Sequence, residues 1–508
     1  MLKALLKHEI LNLLKSKRVY TTVLMFLLLF LSVFVVRVMD YQKQLNQYID
    51  DVRLNESSIQ NAQNYSHLNP RAIQQPIIFS IYNEGFKIPR VLNIRHIEPV
   101  IESENLNEEE NMYFIDNTQL DITFLITFFL SLFILLIAYD SINGEKSIGT
   151  LRVMMTYPIK RQSFILKKML GIFIFVAFIF SLPYFLSLIS LILIYANLIT
   201  INFLLSAFFY WFLVMLFILF FSLLGILISC CTTSPNRSLV FSLLIWILLS
   251  IILPISWDYI IQPRVYNDSI KSLNRIYTEK YSHRYDAMYS ENPHEGGQFF
   301  NYMGGGGYYD TTILADKATM ERRDLYRRHV YDSGWALTSD VEQARDELLR
   351  KRINIENTRN WIFFYNPIVL FNNLSMKITG NSREDYMLFM HSARELRNEL
   401  VNIGVTEGWL FDYRFNALVE EEYNYIVIED LYVEFNEDLD ALYDYIGDIL
   451  INAKKYEIQI PVFRRYEQPI YTFGEIFNRI LLYLVLFVVS ILVLWVMTWY
   501  KFLHYDVR

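Results

Sequence analysis

The chain has 508 residues, 53% of them apolar, only 17 glycines, a mean hydropathy of +0.23 and a formal net charge of −7. A string of soluble domains fits that balance poorly, and a membrane protein fits it well. No nucleic-acid partner is expected.

Residues 2–14, LKALLKHEILNLL, place Leu2, Leu5, Leu6, Ile10 and Leu13 on one helical face and Lys3, Lys7 and His8 on others. This is the pattern of a helix lying in the membrane interface, so residues 1–18 are read as a cytoplasmic amphipathic helix. Anchoring to anionic lipid accounts for that face by itself. The charge-free run Val19–Val36 follows and sets a first transmembrane helix at 19–36. Its apolar stretch is longer than that of a cleavable signal peptide and ends in VVRVMD, not at a small-residue cleavage site, so an uncleaved anchor is expected.

Residues 37–121 form a first extracytoplasmic segment, acidic and rich in Asn and Gln, with NEEEN at 107–111 and the apolar patch PIIFSIYNEGFKIP at 76–89. It is expected to be partly ordered and to pack on the larger outer domain. Further transmembrane helices are placed at 122–139, 169–196, 198–230 and 238–257, each near or above the roughly 18 to 20 residues that span hydrocarbon. A hairpin at 140–168 joins the second and third. The large extracytoplasmic domain, 258–473, precedes the sixth helix at 474–500 and a tail at 501–508. The expected fold class is therefore an all-α polytopic membrane protein with six transmembrane helices and a large, mainly helical extracytoplasmic domain.

Within that domain, residues 314–358 combine strong helix formers with apolar residues at three- and four-residue spacing and no proline. At 383–403, Tyr386, Phe389, Met390, Ala393, Leu396, Leu400 and Val401 form a stripe, read as core-facing. The GGGG run at 304–307 is read as a flexible loop, since no phosphate-loop pattern surrounds it.

The cytoplasmic pieces 1–18, 140–168, 229–237 and 501–508 hold 14 Lys and Arg against four acidic residues, a net of +10, which leaves −17 for the rest. The positive-inside rule then puts both termini in the cytoplasm. The only cysteines, Cys230 and Cys231, are adjacent at a helix end and are read as buried thiols.

No G-x-x-x-x-G-K-[ST], H-E-x-x-H, C-x-x-C or G-x-S-x-G pattern occurs, and the histidines are scattered, with His283 and His294 the nearest to a cluster. No catalytic, cofactor or metal residue is assigned. The apolar runs carry no charge at mid-depth, which argues against a proton relay and suits a lipid-like route or one along the protein surface. Energy has to come from elsewhere.

The stretch DSINGEKSIGTLRVMMTYPIKRQSFILKKMLG, 140–171, is far longer than a connection needs. Gly144 and Gly149 bracket a short charged turn, Thr150–Met155 starts an apolar-basic helix, and Pro158 breaks the chain before a second amphipathic helix. Such a helix-break-helix presents a blunt tip that can receive force from a soluble partner.

Here the sequence resembles the permease subunits of type 2 ATP-binding-cassette exporters. Their first cytoplasmic loop follows a pattern that this chain matches at Glu145, Lys146, Gly149, Thr150, Leu151, Pro158, Arg161, Lys168 and Gly171, with Met169 and Leu170 between the lysine and the glycine. NPIVLFNNLSMKITGNSREDYMLF at 366–389, IPVFRRYEQP at 460–469 and the ending FLHYDVR resemble the long-loop permeases related to gliding-motility and copper-enzyme-maturation exporters. The resemblance implies a six-helix subunit that pairs with itself or a sister permease on two separate ATPase subunits. It implies that Glu145 to Arg161, with Arg152 and Met155 in that span, form a coupling helix seated in the ATPase, and that the N-terminal helix, with Lys3, Lys7, Lys15, Lys17 and Arg18, makes a second contact. ATP and Mg would then bind the partner ATPase, and this chain would hold no cofactor.

The leading expectation is an exporter permease that moves, or extracts from the membrane, a hydrophobic or amphipathic substrate. The alternative is a mechanotransmission or assembly subunit that drives its outer domain against an envelope partner without transport. A membrane-anchored extracellular enzyme has no motif behind it.

Overall fold

The computed structural model describes residues 17–62, 68–85, 90–95, 100–103, 120–156, 161–254, 300–301, 312–313, 366–406, 465–469 and 471–504, with scattered positions between 339 and 358. The amphipathic helix 2–14, the glycine run 304–307 and the two noted histidines lie outside them. Among the described residues, six helices are long and apolar enough to cross a membrane. The chain is an all-α polytopic membrane protein.

α1, Lys17–Gln60, carries the first apolar run. It does not stop where hydrophobicity stops: the helix continues past Arg37 through a polar stretch without proline or glycine, reaching about 66 Å at 1.5 Å per residue. α2 begins as Ile122–Phe124, passes through a π-helical stretch Leu125–Leu130 and continues as Ser131–Ala138. Two short helices follow, α3 (Asn143–Ile148) and α4 (Thr150–Thr156). α5 (Arg161–Ile194) and α6 (Ile201–Cys231) are joined by the short turn 195–200. α7, Pro235–Ile247, starts on a proline at its first turn and ends in a second π-helical stretch, Leu248–Ile252. α8 (Pro367–Thr379), α9 (Arg383–Thr406) and the closing α10 (Phe473–Leu503) complete the order. The capping box of Thr472 and Glu475 starts α10.

α6 is the centre of the bundle and packs against α2, α5, α7, α8 and α10. Lipid is as apolar as leucine, so close approach and van der Waals contact hold such helices together. Gly225 provides one such approach: a Cβ there would lie 2.4 Å from the Cβ of Ala138 on α2.

The bundle has a hairpin end, where α3 and α4 sit, and a far end at the turn 195–200. Two segments expected to lie wholly outside are inserted at the far end. α8 is buried on nearly every side, and the Phe371 ring lies 4.9 Å from Phe217, about half-way along α6. Its N-cap, Asn366, accepts from the amide of Ile368 and donates to the carbonyl of Leu249 in the π-helical stretch after α7. The 3-10 turn Ile78–Ile81 is buried throughout, with Phe79 and Tyr82 packed on Tyr210. The Asn83 side chain donates to Ser375, and its carbonyl accepts from Asn381, tying the two insertions together.

Outside the bundle, a small antiparallel sheet, β1 (Arg71–Ile73), β2 (Val91–Arg95) and β3 (Val100–Ser103), was not expected from the sequence. It packs with α9, whose stripe residues Tyr386, Phe389, Met390, Ala393, Leu396, Leu400 and Val401 are all buried. The first segment therefore does pack on the second. Two-residue strands β4 (Phe300–Asn301) and β5 (Thr312–Ile313) pair antiparallel, and every described residue between 339 and 358 is helical.

Candidate functional site

The hairpin after α2 is not a loop. The charged EKS stretch expected as a turn is helical, within α3, which ends because Gly149 adopts φ +84°, a left-handed conformation that a glycine takes at little cost. α4 then covers the expected Thr150–Met155 and closes at Thr156. Pro158 lies outside the described residues, as do Lys3, Lys7 and Lys15; Lys17 and Arg18 open α1.

The base of the hairpin is fixed to the bundle by buried hydrogen bonds. The amides of Ile142 and Asn143 both donate to the Ser229 hydroxyl on α6, and the Asn143 side chain donates to Thr232 at 2.6 Å. Ser238 on α7 donates to the carbonyl of Tyr139 at 2.7 Å. Glu145 turns inward and forms an ion pair with Lys168 on α5. Leu151 is fully buried in the main core. Arg161 donates to the carbonyl of Leu503 at the end of α10, beside the stacked rings of Phe164 and Phe502.

Of the nine hairpin residues singled out from the sequence, the structure thus places Glu145, Leu151 and Arg161 in contacts within the chain. Lys146 and Met155 are half-buried, and Gly149, Thr150 and Arg152 are exposed. The exposed tip also carries Ile148 and Val153, 77% and 60% exposed, which the sequence reading passed over. Their signal was an apolar residue on either side of a glycine turn, in a stretch too short to show periodicity. Of the two cysteines, Cys230 is buried as expected, but Cys231 is exposed because it is the last residue of α6.

The far end is closed by charge as well as packing. Arg37 on α1 pairs with Glu84 and donates to the carbonyl of Ser80. Asp121 caps α2 through the amide of Phe124 and also accepts from the amide of Glu84, while burial pushes its carboxyl up to about 6. Arg479 on α10 reaches Glu384 at 2.6 Å and Asp385 at 2.9 Å at the start of α9, and its guanidinium lies 4.3 Å from the Tyr471 ring centre. Lys377, at the end of α8, donates to the same Glu384 at 2.8 Å. Burial alone would raise the Glu384 carboxyl, but Lys377 and Arg479 hold it below its ordinary value.

With a pinned hairpin at one end of a six-helix bundle, comparison with known proteins decides the family. A family model described as ABC-2 family transporter protein matches residues 3–507. The chain belongs to that family. A probable ABC transporter permease protein of Pseudomonas aeruginosa, NosY, is 46% identical over 54 residues, which is 11% of this chain and 20% of that protein. The chain thus matches only a fifth of the relative's length. The chain is a multi-pass permease of the ABC-2 transporter family.

Proposed function

We propose that this permease carries the closing motion of two separate ATPase subunits into the membrane, in order to export, or extract from the bilayer, a hydrophobic or amphipathic substrate. The observation that carries the reading is the hairpin: an exposed apolar tip, Ile148 and Val153, on a base hydrogen-bonded to α6 and α7. Exposed apolar side chains on a rigid projection are the ordinary chemistry of a docking contact, and the pinned base passes displacement to the helices instead of absorbing it. On this reading ATP and Mg bind only the ATPase, the hairpin and both termini face the cytoplasm of the bacterial inner membrane, and a second permease completes the assembly. The N-terminal helix with Lys3, Lys7, Lys15, Lys17 and Arg18 is the second contact.

The test is co-purification of the full chain with its ATPase. The double variant Ile148→Glu, Val153→Glu is expected to lose the complex and the stimulation of ATP hydrolysis while its thermal unfolding stays unchanged. An intact, fully stimulated complex would overturn the reading.

Mechanotransmission is the second reading, favoured by the insertion of Ile78–Tyr82 and α8 into the bundle. Tyr82, Tyr184 and Tyr210 are packed together and fully buried, so the space between α5, α6 and the inserted turn is filled at the level of these rings, and on this reading no cargo passes between them. Movement of a labelled amphiphile by the purified complex in vesicles, dependent on ATP, would favour export. Its absence with stimulated hydrolysis intact would favour mechanotransmission.

A further inference from the structure

A cavity of about 390 Å³ opens at the far end of the bundle, between the α5–α6 turn, the stretch 74–79, the junction of α8 and α9, and the start of α10. Its size falls in the range of small-ligand sites, roughly 300–1,000 Å³. Its lining includes the apolar side chains of Ile78, Phe203, Ile378, Leu388 and Phe389. It also includes amides and a hydroxyl: Gln74, Asn197, Asn202, Gln468 and the buried Ser206, which lies about 8 Å along α6 from its first residue.

Among the described residues of the lining, the two charged groups, Lys377 and Asp385, are committed to partners in the chain. Lys377 donates to Glu384 and lies 5.1 Å from the Tyr483 ring centre. Asp385 accepts from Arg479 and from the amide and hydroxyl of Ser382. Among the described lining residues, an anionic or cationic head would have to break one of these pairs to find a counter-charge. Amides offer both donors and acceptors, which match hydroxyl groups, and the apolar side chains accept methylenes.

We infer that this cavity binds the uncharged, multiply hydroxylated head of an amphiphile, with the first methylenes of its chain against Phe203 and Ile378. The inference gives a substrate class to the proposed handling of an amphipathic molecule and rests on that reading, but binding needs neither ATPase nor hydrolysis. The two can therefore fail separately.

The experiment uses the full chain in phosphatidylcholine nanodiscs, with diazirine-bearing glucosyl diacylglycerol, phosphatidylglycerol and phosphatidylcholine probes of identical chains. After irradiation, labelled peptides are mapped. The glucosyl probe is expected to label residues 74–79 and 376–380 about fivefold above either phospholipid, the scale of one or two hydrogen bonds. Ser206→Phe, which fills the deep end, is expected to abolish that labelling. Asn202→Lys adds an unpaired cation at the rim and is expected to shift labelling toward phosphatidylglycerol, a gain that misfolding does not produce. Equal labelling of these peptides by all three probes, or no change in either variant with folding retained, would overturn the inference. Loss of ATPase binding in the hairpin variant, with glucosyl labelling unchanged, is expected.

Discussion

The two ends of the bundle are built by opposite means. At the hairpin end, neutral hydrogen bonds from Ile142, Asn143 and Ser238 fix the base, Glu145 pairs with Lys168, and Ile148 and Val153 expose apolar side chains at the tip. At the far end, the chain folds back into its own bundle, and Arg37, Lys377 and Arg479 are matched by Glu84, Glu384 and Asp385. One end leaves contacts for another molecule to complete. The other completes them within the chain, so under the proposed coupling a displacement received at the hairpin would meet a far end tied to the outer segments. The difference is what a lever needs: a free contact at one end and a fixed load at the other.

The largest effect is expected from breaking the fixed end. Arg479→Met leaves Glu384 and Asp385 without their guanidinium, and loss of one partner from a buried ion pair costs about 3 kcal/mol at the low end of the usual range, appropriate because Glu384 is 28% exposed. The folded-state value of Glu384 is depressed, so its contribution is present above its ordinary value, about 4.3, and is lost as pH falls through the folded value. Thermal unfolding in detergent should therefore show an acid limb below about pH 4.3 in the parent protein that is flattened in Arg479→Met. A parent and variant with the same stability and the same acid limb would show that packing alone closes the far end.

How far the sequence reveals this contrast depends on how each end is built. The six spans are legible because hydrocarbon demands long charge-free runs, and the α9 stripe because burial follows helical spacing. The polar continuation of α1 beyond Arg37 is not legible, since nothing in its composition separates a helix from an acidic loop. The insertions are hidden for a different reason. Pro367–Thr379 is too short to span, and Asn366, Asn373 and Ser375 look like surface residues until the carbonyls of Leu249 and Val369 and the side chain of Asn83 are seen to satisfy them. At the hairpin, Gly149 and Thr150 could be singled out, but the inward turn of Glu145 toward Lys168 depends on how α5 starts, which spacing does not encode.

A smaller effect is expected from loosening the base of the free end. Asn143→Ala removes the buried bond to Thr232 while leaving the backbone bonds to Ser229 in place, a loss of about 1–2 kcal/mol. ATPase binding should persist because Asn143 is not at the tip, but stimulation of ATP hydrolysis should fall more than affinity does. Equal loss of both would make the base part of the docking surface instead of a link behind it.

The smallest effect on stability is expected at the tip itself. Ile148 and Val153 are 77% and 60% exposed, so replacing both with serine removes almost no contact within the chain, and the change in unfolding should stay within about 0.5 kcal/mol. On the proposed docking, the same variant should weaken ATPase binding strongly, because two apolar side chains solvated in the free permease would be buried in the complex. Unfolding at several denaturant concentrations, set beside affinity for the ATPase, separates the two quantities. A tip variant that lost as much stability as Asn143→Ala would mean that these side chains pack on the chain itself, and the contrast between a free end and a fixed one would not hold.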